Sequence, residues 1–423
     1  MKNRSKIEAW IVVMAMMLGV GLSGNQSLAA ECTTKVGVAL PTSVDWGRPI
    51  AATTQFAVDL VNEAGGVSGC QVEVVLRDTQ KDPKVGVDAA RSMVDLEKVK
   101  VLLGAVSSGV TMPILTSVTV PSNVMHMSCC SSSTAFTKLA EEGKTKGLWF
   151  RTFATSAVQT TAASILINEK GYENVAIFYK NDDWGQDMGR LVADNLKKLG
   201  INVTASIAIN DGQASYQAEV TKGISGKPDA IYLALYPKEG ISIVRNWISL
   251  GGTQQMVMTN SLKSDEFRDK VGFKYLAAAM GTDTSSPRVE SATVFVDLYK
   301  KRFGSEPNGP GLSNAFDATM ITLLAMEAAG KDADGPTIAK EVARVTDPAG
   351  VAITAGSAGF KKAVAVLKNG GSVMYQGATG NVQFDKNGDV SAPAVAWVFT
   401  DSGIKEERYM SLDEIKAFQL KMK

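Results

Sequence analysis

One histidine and four cysteines are all the imidazole and thiol that 423 residues provide, and the scarcity removes several chemistries at once. A lone His126 cannot build a histidine metal cluster, and no CxxC, GxSxG or Walker sequence appears. A basic excess is also missing. Lys and Arg number 44 against 43 Asp and Glu, so nothing is left over to neutralise phosphates, and nucleic acid is not an expected partner. Long apolar runs are equally scarce. The longest, Ala9 to Leu22, falls short of the ~20 residues a membrane-spanning helix needs, but suits the core of an export signal. Lys2, Arg4 and Lys6 precede it, and Ser27-Leu28-Ala29 offers small residues where a signal peptidase reads. Glu31 stands before Cys32 where a lipidation box wants a small residue. Residues 1–29 are therefore expected to be a signal peptide cleaved near Ala29, leaving an exported, soluble chain. The cut removes three cations and Glu8, taking the formal charge from +1 to −1.

What remains is enough for two or three domains at ~100–200 residues each. Charged residues at 21% and apolar ones at 45% describe an ordinary globular chain with a sizeable core. In an oxidising compartment the cysteines call for pairing arithmetic. Cys32 lies just before a strand-like run, 35–40, and Cys70 opens the next, 71–76. If those strands are parallel neighbours, both cysteines sit at one sheet end and a Cys32–Cys70 disulfide follows. Cys129 and Cys130 are adjacent. Neighbouring Cα atoms ~3.8 Å apart fall below the ~4.4 Å usual for disulfides, so a vicinal bridge would be strained and two buried thiols are the plainer reading.

Short β-branched runs at 35–40, 71–76, 99–104, 123–128, 174–179, 202–207, 229–234 and 255–258 alternate with amphipathic stretches at 49–64, 84–98, 156–169, 184–199 and 239–250. Such alternation means parallel sheets with helices on both faces. The rhythm breaks after about residue 280. Helix patterns then dominate, at 289–303, 312–329, 336–345 and 360–369, before a final β pair at 380–384 and 394–399. A barrel would keep alternating; two open sheets with a late return of the chain fit better. Gly and Pro cluster at 304–311, and a second such stretch lies at 350–359; both read as loops.

Most motifs dissolve on inspection. The GxGxxG of Gly19, Gly21 and Gly24 lies inside the signal peptide and follows no strand. Asp385 to Asp389 resembles half a calcium loop, but the twelfth position is Ala396, and a hairpin turn accounts for it better. His126 and Cys129, three residues apart on a strand, face opposite ways, which disfavours a nucleophile–base pair. Two loops are different. Gly104 to Thr111 joins an apolar strand to a helix pattern. Its unpaired N–H groups, its Ser107 and Ser108 hydroxyls and the permissive Gly109 make a receptor for a carboxylate, or else a plain helix cap. The next strand ends in Ser128-Cys129-Cys130-Ser131-Ser132-Ser133-Thr134, again small polar groups at a strand C-terminus, where α/β sheets place ligands.

Seven segments, in this order, match a known family: Asp59 to Gly69 (DLVNEAGGVSG), Arg77-Asp78-Thr79 with Asp82-Pro83, Gly104 to Thr111, Leu148 to Thr152 (LWFRT), Asn181 to Gly185 (NDDWG), Phe316-Asp317-Ala318, and Tyr375 to Asp389. The chain resembles the periplasmic solute-binding proteins of branched-chain amino acid ABC importers, in the type I binding-protein superfamily. The resemblance implies two α/β lobes, each a doubly wound parallel sheet, joined by three hinge crossovers near 152, 284 and 378. The N-terminal lobe would hold 30–152 and 285–377, and the C-terminal lobe 153–284 and 378–423. It also implies a periplasmic monomer, no cofactor, a branched-chain or other hydrophobic amino acid as the leading ligand, with another small carboxylate as the alternative, and a membrane ABC permease as partner. By the same resemblance Ser108, Gly109, Cys130, Ser131 and Ser132 grip a ligand carboxylate, while Trp46, Trp184 and Tyr236 cover its apolar part. One position departs. The family pairs the ligand ammonium with an acid, and Ser261 stands there. A buried cation without a counter-charge is costly, so either Asp183, Asp265 or Asp283 substitutes, or the ligand is an aromatic or other small carboxylate without an ammonium. Two rivals share the fold: an enzyme using Cys129 or Cys130 as nucleophile, and a ligand sensor that does not transport.

Overall fold

The computed structural model describes residues 32–285 and 290–422; the expected signal peptide lies outside them. The β-branched runs form strands β1 (Thr33–Leu40), β2 (Gln71–Asp78), β3 (Val101–Gly104), β4 (Met125–Ser128) and β5 (Trp149–Arg151), which make one parallel sheet in the order β2-β1-β3-β4-β5. A second sheet takes β6 (Asn174–Lys180), β7 (Asn202–Ile209), β8 (Ala230–Ala234), β9 (Met256–Thr259) and β10 (Met280–Thr284) in parallel, with β14 (Ala394–Thr400) and β15 (Gly403–Met410) antiparallel at one edge. Its order is β15-β14-β10-β9-β8-β6-β7. Between β10 and β14 in sequence lies a small third sheet of β11 (Val351–Thr354), β12 (Val373–Gly377) and β13 (Gly380–Asn381).

Strands covered on both faces read as continuous apolar runs, and the fully buried β3, β8 and β9 behave so. The architecture is two-lobed α/β. The first sheet is packed on both faces: on one the helix Leu312–Ala329 packs with the helix Gly47–Glu63, and on the other a cluster gathers around Ala90, Leu102 and Ile114. The second sheet is likewise covered on both faces, with a further cluster where its helix Ser156–Glu169 meets β14 and Ile415. In sequence order the chain changes sheets three times: after β5, after β10, and between β13 and β14.

A disulfide joins Cys32 and Cys70, because β1 and β2 are parallel neighbours that pair from Thr33 with Gln71. One expectation fails. The runs at 380–384 and 394–399 do not pair: β13 belongs to the third sheet beside β12, whereas β14 lies between β10 and β15. The turn at Asp385 to Asp389 is therefore not a hairpin but part of the last passage between sheets. The Asp385 carboxylate holds it by accepting from Asn387 N and Asp389 N. No helix among the described residues is long and apolar enough to cross a membrane.

Candidate functional site

In sheets of this winding the crevice opens at the C-terminal strand ends where the strand order reverses. In the first sheet that point lies between β1 and β3. The loops after β1, β3 and β4 carry Trp46, Ser108, and Cys130 with Ser132. In the second sheet it lies between β6 and β8, and the loops after β6, β8 and β9 carry Trp184, Tyr236 and Ser261. The two sets face each other across a cavity of about 120 Å³, lined by these seven residues and by Ile50, Val106, Phe153, Pro237, Asn260, Lys263, Ser264, Glu266, Pro310 and Gly311.

The floor is made of hydroxyls with protons to give. Ser108 Oγ accepts from Ser133 N at 3.2 Å, and Ser132 Oγ accepts from Ser156 Oγ at 3.2 Å. Each serine thereby has one lone pair engaged from behind, leaving its own O–H to donate forward. Ser107, at the N-cap, makes no cap bond with its side chain, and the helix Ser108–Ile114 closes its first backbone bonds only from Val110 and Thr111 to Ser107 O. Plain capping by Ser107 or Ser108 is thus not what these hydroxyls do. The serine loop is held from below by Arg151. This fully buried guanidinium donates to Ser131 O at 2.9 Å, Ser133 O at 2.7 Å and Thr137 Oγ1 at 2.8 Å, and pairs with Asp389 Oδ1 at 2.6 Å.

Aromatic rings form the cover. A tight approach, in which a Cβ on Gly47 would meet Pro41 O at 2.0 Å, sets Trp46 at the head of its helix. The Trp46 ring stacks on Tyr236 at 6.1 Å and 8°, and Trp184 lies 5.0 Å from the same tyrosine. Asp182 caps the helix Asp183–Lys198 through Gly185 N and so fixes Trp184 in its first turn. Tyr236 also donates to Ser107 Oγ at 3.2 Å, linking the two bodies. A second link is a pair of hydrogen bonds that Thr134 donates to the Asp187 carboxylate, from its N at 2.8 Å and its Oγ1 at 2.6 Å. On the floor side, Gly311 has φ +77° and a Cβ there would lie 2.4 Å from Cys130 Sγ, so glycine lets that loop close over the thiol.

Two expected residues stand outside the lining. Ser131 is fully buried and its hydroxyl is spent on Ala105 O, Val106 O, Thr111 and Ser128. Gly109 faces the other body instead, where its added Cβ would sit 3.2 Å from Asp182 Cβ. Ser261 lines the cavity but donates to Leu235 O at 2.7 Å. Of the acids considered for an ammonium, Asp183 and Asp265 are exposed and line neither the cavity nor its neighbour. Asp283 is paired with Lys263 at 3.5 Å, and burial pushes its carboxyl above the usual range. Glu266, not anticipated, does line the cavity, with Lys270 2.7 Å away. Phe153, Lys263, Pro310 and Gly311 were also missed. A Gly-Pro-Gly run directly before a helix pattern was the available signal for the last two.

The sulfur chemistry is muted. Burial and the neighbouring Cys129 hold the Cys130 thiol well above its ordinary value, so a thiolate is disfavoured. His126 has both ring nitrogens engaged, Nε2 donating to Gly104 O at 2.7 Å and Nδ1 facing Thr119 Oγ1 at 3.1 Å. Neither residue is placed as a nucleophile–base pair.

Comparisons with known proteins agree with this fold. A family model described as periplasmic binding protein matches residues 33–388. The chain is similar to the chemotactic signal transduction system substrate-binding protein BasB of Halobacterium salinarum, 24% identical over 365 residues that cover 84% of each chain. In structure it is similar to the leucine binding protein LivK of Thermotoga maritima, with TM-score 0.75, 23% identity, and 90% of this chain and 99% of that one covered. It is also similar to a solute binding protein of an ABC transporter from R. palustris in complex with 4-hydroxybenzoate, with TM-score 0.72, 18% identity, and 90% and 97% covered.

Proposed function

The chain belongs to the periplasmic binding protein family, and from that premise we propose that it is the exported receptor of an ABC importer. In this reading it captures a small carboxylate with a flat apolar body and no ammonium. The single observation that carries the ligand class is the pair of forward-facing hydroxyls on Ser108 and Ser132 beneath three aromatic rings. Charged hydrogen bonds from the serines hold the head group, and the rings of Trp46, Trp184 and Tyr236 cover the rest. The lobes, 30–152 with 285–377 and 153–284 with 378–423, close by hinge motion, and the closed form docks on the permease. Solved structures of similar fold hold aromatic acids in some cases and isoleucine or leucine in others, so the fold admits both ligand classes.

A leucine-like amino acid is a second reading, favoured by the Glu266 carboxylate in the lining. It requires Glu266 to exchange Lys270 for the ligand ammonium. Titration calorimetry with benzoate and L-leucine separates the two. Each hydrogen bond to a charged group contributes ~1.5–3 kcal/mol, so Ser108→Ala should weaken the preferred ligand about ten- to hundredfold. Unchanged affinity in that variant removes Ser108 from the site and the head-group reading with it. Stimulation of a cognate permease ATPase by liganded protein distinguishes transport from sensing alone.

A further inference from the structure

Lys263 stands where two cavities meet. It lines the aromatic pocket and also a neighbouring chamber of about 250 Å³ with a polar wall that includes Thr152, Asn314, Thr379 and Asn381. It is the one cation lining the aromatic pocket among the described residues. Its own partners are loose. Asp283 Oδ2 lies 3.5 Å from Nζ and Glu406 Oε1 3.9 Å, beyond the ~2.7–2.9 Å of a close charge-assisted bond. An ammonium has three N–H donors, so Lys263 retains capacity toward the cleft. Three other polar groups of its wall are engaged elsewhere: the Ser261 hydroxyl donates to Leu235 O, Ser264 Oγ caps its helix by accepting from Phe267 N, and the Glu266 carboxylate pairs with Lys270 at 2.7 Å.

Lys263 also belongs to the second body, opposite the serines of the first. A ligand held by Ser108 and Ser132 at one end therefore presents its other end to this ammonium, and does so only when the cleft is shut. We propose that Lys263 is a specificity residue that receives a second carboxylate, so that the ligand class is a flat aromatic diacid rather than a monoacid. This rests on the head-group reading above. A diacid would bridge the bodies with an anion at each end, and would replace the water that a loosely paired ammonium otherwise loses on closure.

The test is calorimetry of wild-type and Lys263→Met protein with benzoate, benzene-1,3-dicarboxylate and benzene-1,4-dicarboxylate. The expected result is that one diacid binds wild-type protein at least tenfold more tightly than benzoate. Lys263→Met should erase that preference, and a far-UV circular dichroism spectrum like that of wild-type protein shows that the variant is folded. Benzoate binding with no diacid preference, or an equal loss of both ligands in Lys263→Met, overturns the role of Lys263 and leaves the head-group reading standing. No binding of any carboxylate overturns both.

Discussion

Replacing Asp389 by Asn tests whether the ligand floor is built from beneath. Asp389 is 6% exposed and pairs at 2.6 Å with Arg151, which is 0% exposed and spends its remaining donors on Ser131 O, Ser133 O and Thr137. The substitution keeps shape and removes the charge, leaving a guanidinium buried without its counter-ion. Breaking one partner of a buried pair typically costs ~3–5 kcal/mol. Part of that strain reaches Ser132, whose neighbours on both sides are tethered to the same guanidinium. Urea unfolding followed by far-UV circular dichroism should show destabilisation in that range, and calorimetry should show a benzoate affinity about tenfold weaker. Asp389→Asn within about 1 kcal/mol of wild type, with unchanged affinity, would show that the pair neither holds the fold nor seats the serine loop.

Two buried groups make stability depend on pH in opposite senses. Burial lowers His126 from 6.5 to about 4, so the folded state keeps it neutral while the unfolded chain takes up a proton; its contribution is complete above pH 6.5 and is lost as pH falls toward 4. Burial raises Asp317 from 3.8 to about 6 despite bonds from Tyr375, Ala378 and Thr379, so acidification from 6 toward 3.8 favours the fold. Each spans about 3 kcal/mol at most, so denaturation between pH 4 and 7 should show a shallow wild-type profile in which His126→Gln removes the loss on acidification and Asp317→Asn steepens it; parallel profiles for all three refute both assignments. Thr134→Val removes one of the two bonds to Asp187 that tie the bodies together and should favour opening by ~1.5–3 kcal/mol, seen as a larger radius of gyration in X-ray scattering and faster ligand release with an unchanged order of ligand preference.

Much of the scaffold was legible because parallel strands buried on both faces leave apolar β-branched runs, as at Ala230–Ala234 and Met256–Thr259. Val351–Thr354, in a stretch read as a loop, and Val373–Gly377 escaped because they are short runs set among helix patterns. Three others had different compositions. Gly403–Met410 carries Lys405, Glu406, Glu407 and Arg408 at an exposed edge, Met280–Thr284 contains Gly and Asp, and Trp149–Arg151 is three residues long. Pairing overrode propensity in each. The serine loops could be picked out because small polar groups sat directly at strand ends. Lys263 and Phe153 could not, since nothing local marks a residue whose role is set by the opposite body. Ser131 was misjudged for a related reason: within a run of four similar residues, only the fold decides which hydroxyl turns inward toward Ala105 O and which faces the cleft.

The five indoles among the described residues divide into two kinds. Trp149, Trp247 and Trp397 are sealed in the interior, at 1%, 0% and 0% exposure, and their emission should stay constant whatever the jaws do. Trp46 and Trp184 come from opposite sides of the gap and share one phenol, that of Tyr236. Separation of the halves breaks that sandwich and wets both rings, so the chain carries a built-in optical gauge of its own occupancy. Stopped-flow fluorescence could then time each capture and release with no dye attached.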